Sequence, residues 1–137
     1  MREQQSGQAL VEWAVSAFVL LLFGFSFLAV AQIADEYMVV RSAATQAAFA
    51  AARAPSERDA QDGSRQAAAE AVAGSQVRSF AITLDTQGFQ RGAVLTATAT
   101  GCVGLDTFPI ASQLFGRCLQ LRWSAHALIE PFRSRAP

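Results

Sequence analysis

The sequence predicts an α+β chain, in which a long N-terminal transmembrane helix continues into a small antiparallel sheet domain. Three observations predict it. An uncharged apolar run extends from Trp13 to Ala31. An alanine-rich helical stretch follows without a breaker until Pro55. Beyond that, three segments alternate apolar and polar residues with the period of two that marks half-buried strands.

The apolar run comes first because it sets the compartment. Its 19 positions, WAVSAFVLLLFGFSFLAVA, would span roughly 29 Å as a helix, the thickness of a bilayer's hydrocarbon core. Its polar residues are Ser16 and Ser26, whose hydroxyls can return a bond to the helix backbone. A buried helix of a soluble protein is rarely apolar on all faces over this length, so the window reads as a membrane span of about residues 13–33. The 52% hydrophobic fraction is high for a soluble protein of this size, and most of the excess sits in this stretch, so it reports a span more than a large globular core. Gly24 inside the run either weakens the helix locally or allows close helix contact.

The helical pattern does not stop at the edge of the run. Asp35 and Glu36 mark the exit, and Tyr37 suits a ring at the membrane–water boundary. From Met38 to Arg53 the chain is rich in Ala, the best helix former. Val40, Ala44, Ala47, Ala48 and Ala51 fall on one face and predict a packing stripe. One helix is therefore expected from Gln8 to Arg53, roughly 69 Å long, ended by Pro55. Arg2 favours a cytoplasmic N-terminus, which puts the rest of the chain on the extracytoplasmic side.

Residues 55–137 read as the outer domain. Ser56 is an N-cap candidate for a second helix running to about Ala73, with Gly74 as its C-terminal cap. Arg78 to Thr86 predicts a strand with Phe80, Ile82 and Leu84 on one face, and Gln87 to Gly92 a hairpin loop. Ala93 to Cys102 predicts a strand with Val94, Thr96, Thr98 and Thr100 opposite Leu95, Ala97 and Ala99. A short helix is expected around Pro109 to Phe115. A last strand, Leu119 to Ile129, turns Leu119, Leu121, Trp123, Ala125, Ala127 and Ile129 to one side, and Pro131 closes it. Three strands are too few for an independent core, so their apolar face is expected on the outer half of the long helix. Cys102 ends one strand and Cys118 begins the next, within reach of a disulfide. Such a bridge would close a loop of about 15 residues, worth up to roughly 3 kcal/mol. Two buried free thiols are the other reading.

Several function classes find little to work with. With 11 basic and 11 acidic residues the net charge is zero and the arginines form no dense run, which disfavours nucleic acid as a partner. No CxxC motif or Cys/His cluster suggests a metal. His126 is the sole histidine; Ser124 shares its strand face, but no third group completes a triad. The expectation is a chain that is not an enzyme, with no catalytic residue, metal, cofactor or small-molecule substrate.

What precedes the run carries the sharper signal. Glu12 sits inside the apolar pattern Ala9-Leu10-Val11-Glu12-Trp13-Ala14-Val15, and an acid at the edge of a membrane helix is costly enough to need a partner or a role. On its own it could simply snorkel to the interface. Gly7 is a small residue that precedes the run, whereas a secretory signal would place its cleavage site after it. The stretch Ser6-Gly7-Gln8-Ala9-Leu10-Val11-Glu12-Trp13-Ala14 resembles the processing site of type IV prepilins, most closely the TadE-like pilins of tight-adherence (Flp-type) systems. Trp13 stands where Tyr or Phe is usual in those families. The resemblance is strong over about residues 6–34 and weak beyond.

The resemblance implies a leader peptide, residues 1–7, removed by a prepilin peptidase between Gly7 and Gln8. Glu12 then becomes the fifth residue of the mature chain and sets assembly register. It further implies a long helix over residues 8–54 and a pilin-like domain over 55–137. The location implied is the inner membrane, single-pass, and then the extracellular pilus. The partners would be the prepilin peptidase, other major and minor pilins, the inner-membrane assembly platform and the lipid bilayer. Flp-type major pilins are usually much shorter, so the outer domain favours a minor pilin or pseudopilin that primes or caps a fibre. The rival reading is a single-pass anchor for an extracytoplasmic binding or scaffold domain, neither processed nor assembled.

Overall fold

The computed structural model describes residues 3–106, 112–113 and 116–130. A long helix, α1 (Glu3–Arg53), leads to a second, α2 (Glu57–Val72), and then to strands β1 (Val77–Asp85), β2 (Val94–Gly104) and β3 (Cys118–Leu128). The short helix expected around Pro109 to Phe115 falls largely outside the described residues, as does Pro131. The chain divides into two units, one ending at Ala34 and the other beginning at Asp35.

The first unit is the apolar part of α1. Its large side chains are exposed among the described residues: Trp13 is 72% exposed and Phe27 74%. Ser26 donates its hydroxyl to Leu22 O at 2.8 Å, so its polarity is returned to the helix backbone. Helix α1 starts at Glu3, earlier than the expected Gln8. Glu and Gln are good helix formers, and a single Gly costs only about 1 kcal/mol, so Gly7 does not stop the helix from extending through it.

The second unit is built on small residues. Val40, Ala43, Ala44, Ala47, Ala48 and Ala51 are essentially inaccessible, at the i, i+3, i+4, i+7 spacing of a core-facing stripe. They meet a sheet face that is also small at its centre. Ala97, Ala99, Ala125 and Ala127 share clusters with them, and the larger Phe80, Ile82, Leu84, Leu121 and Trp123 pack around. A third cluster joins Ala51 and Ala60 to Phe89, Leu95 and Ile129. Each buried methyl contributes only roughly 0.8 kcal/mol, so the value of the alanines lies in close approach between helix and sheet.

Helix α2 begins as its sequence dictates. Ser56 is extended (φ −135°), and its Oγ accepts from Asp59 N at 3.2 Å. Ala60, Ser64 and Ala68 form its buried edge, and Gly74 follows in the left-handed region (φ 83°). Glu57 Oε1 accepts from Thr86 Oγ1 at 2.6 Å, tying the helix start to the end of β1.

The strands form an antiparallel meander in the order β1-β2-β3. β2 and β3 pair without a break from Val94↔Leu128 to Gly104↔Cys118, whereas β1 bulges between Arg78 and Ala81, where Ser79 takes φ 51°. Gly101 in β2 is required by its neighbours. A Cβ there would collide with Val77 Cγ1 and lie 3.4 Å from Val40 Cγ2. Gly101→Ala is therefore expected to destabilise the outer unit by about 1–3 kcal/mol. Thermal unfolding in detergent measures this, and an unchanged midpoint would refute the close approach.

Candidate functional site

The N-terminal candidates lie on one uninterrupted helix. Gly7 is exposed within the second turn, and a Cβ added to it would meet nothing within 4 Å. Gln8 and Glu12 are one turn apart on the same face, separated by about 6 Å along the axis. Glu12 is exposed and enters no hydrogen bond or ion pair among the described residues. From Trp13 onward the helix meets no charge until Asp35, and by length and composition it is suited to crossing a membrane. An apolar surface of this extent marks contact with lipid or with other protein.

The exit turn holds side chains whose arrangement the sequence did not disclose. Asp35 is exposed but Glu36 is buried, at 6% accessibility. Glu36 Oε1 accepts from Gln76 N at 3.0 Å, just before β1, and Oε2 has no hydrogen-bond partner among the described residues. Tyr37 meets Trp123 of β3 edge-to-face, with ring centroids 5.6 Å apart and planes at 87°. The Arg41 guanidinium carbon lies 5.2 Å from the centroid of the same Trp123 ring, within cation–π range. The i, i+4 spacing of Tyr37 and Arg41 was visible in the sequence. Their meeting with a residue more than eighty positions away was not.

On the solvent face of the sheet, Cys102 and Cys118 form a disulfide with Cα atoms 5.6 Å apart. Farther along this face the hydroxyls pair across strands. Thr98 Oγ1 lies 2.9 Å from Ser124 Oγ, and Thr96 Oγ1 lies 3.0 Å from His126 Nδ1. His126 and Ser124 therefore each bond a threonine of β2 opposite them.

No family model, curated protein or solved structure matches the chain.

Proposed function

We propose that the chain is a TadE-like minor pilin or pseudopilin, cut after Gly7 by a prepilin peptidase and assembled through α1 into a tight-adherence pilus, where it supports pilus assembly and adhesion. The observation that carries this reading is α1 itself. One helix bears Gly7, Gln8 and Glu12 at its head, then an apolar segment with no cover from its own chain, then an alanine stripe that forms the core of the outer unit. A plain anchor would need only the apolar segment. An assembly module needs apolar faces for neighbouring subunits, a register group at one end and a domain fixed to the other.

In this reading cleavage creates an α-amine at Gln8. That cation can meet the Glu12 carboxylate of a neighbour staggered along the bundle. The pair's net worth is small once desolvation is counted, so its use is to penalise every other stagger. The other partners are further pilins, the assembly platform and the bilayer, and the chain performs no catalysis.

The test is fractionation. In cells that carry the peptidase and the assembly platform, the chain should be found in filaments sheared from the surface. A chain confined to the membrane fraction would favour the unassembled anchor.

A further inference from the structure

We infer that Tyr37, Arg41 and Trp123 form an interfacial anchor that seats the outer unit on the lipid headgroup layer. The inference rests on reading the apolar part of α1 as a membrane span. The uncharged stretch ends at Ala34, and Tyr37 and Arg41 follow it by three and seven positions on the same helix. Tyr37 is about 4–5 Å farther along the axis, inside a headgroup zone about 5–8 Å deep, and Arg41, about 10–11 Å farther, stands just beyond that zone with a side chain long enough to reach back into it.

The chemistry of the cluster fits that zone. Tyr37 and Trp123 are half-buried, packed on one side against the cluster of Val40, Ala44, Ala99, Val103 and Leu121. Rings with an apolar body and a hydrogen-bonding edge concentrate at headgroup depth. Arg41 is exposed and stacked on Trp123, which pre-positions a guanidinium able to grip a lipid phosphate with two N–H groups. Met38, in the same turn, leaves 66% of its surface exposed and can enter the acyl boundary. Of the two acids in this turn, Glu36 is turned inward onto the Gln76 amide, and only Asp35 is exposed. Trp123 comes from β3, so the sheet as well as the helix would be tied to the bilayer surface. The Tyr37 and Arg41 contacts hold the indole in a fixed position on the helix.

The two tryptophans make the test specific. Full-length W13F leaves Trp123 as the sole indole, and W123F leaves Trp13. Each is reconstituted into phosphatidylethanolamine/phosphatidylglycerol vesicles carrying a spin label on the lipid headgroup or deep in the acyl chain. Trp123 emission is expected to fall about twofold more with the headgroup label than with the deep label, as for an interfacial ring. If lipid labels quench Trp13 but headgroup label leaves Trp123 unchanged, the anchor is overturned and the span stands. If neither is quenched, the span reading fails and takes the anchor with it. Stronger quenching of Trp123 by the deep label would also overturn headgroup seating.

Discussion

Glu12→Ala is expected to insert into the membrane as well as the wild-type chain and to be depleted from filaments. Both halves follow from where Glu12 sits. It lies at the edge of the apolar segment with no internal partner among the described residues, so the carboxylate contributes nothing visible to the fold of its own chain. Alanine is the better helix former and removes a charge from the edge of the apolar run, so insertion does not suffer. Assembly should suffer, because an unpaired carboxylate in a helix bundle is what disfavours wrong staggers. If misregistered contacts become competitive by only about 1.4 kcal/mol, the ratio of correctly to wrongly placed subunits falls about tenfold. Blotting sheared filaments against the membrane fraction reads both outcomes together. Normal incorporation of the variant would remove the register role.

Gly7→Leu is expected to abolish processing while leaving the helix intact. A Cβ at position 7 meets nothing within 4 Å, and leucine is a much better helix former than glycine. The fold therefore gives no reason for the substitution to do harm. A loss of cleavage would report recognition by the peptidase, which in the proposed reading approaches the backbone at Gly7 closely enough to exclude a side chain. The variant should keep residues 1–7 in cells that trim the wild type, and trimming of both would show that the glycine is not read.

Much of the fold was legible because its elements obey simple periods. The stripe from Val40 to Ala51 was predicted at helical spacing, and its residues are buried, with Ala43 added. Ser56 caps α2, and Phe80, Ile82 and Leu84 share the inner face of β1. What stayed hidden depends on contacts distant in sequence or on unusual backbone. Phe89 lies in a loop between Gly88 and Gly92, yet it folds back into the core with φ 49°, a conformation that period-based reading does not assign to phenylalanine. The bulge at Ser79 shifts the phase of the strand, so Val77 and Phe80 both turn inward three positions apart, and the alternation from Phe80 to Leu84 alone could not reveal it. Glu36 follows the exposed Asp35 at the end of the apolar run, and nothing in that position announces that it is buried. Its burial is offset by the Gln76 amide, forty residues on. Gly101 is a spacer only because Val77 and Val40 converge on it.

The functional reading divides in a similar way. The apolar run by itself speaks for a membrane helix, and α1 has the length and composition for one. The proposed processing and assembly rest on Gly7, Gln8 and Glu12, three residues whose proposed roles are played toward other proteins. The signal therefore lies in their position before the run and in the resemblance that position carries, with no side-chain partner among the described residues to express it.

The most direct test is the mass of the mature chain. The protein is co-expressed with a prepilin peptidase, extracted from the membrane, and its N-terminus is read by intact-mass and peptide mass spectrometry. The proposal predicts a chain beginning at Gln8, lighter by residues 1–7. A chain that still carries those residues in the presence of active peptidase would contradict it.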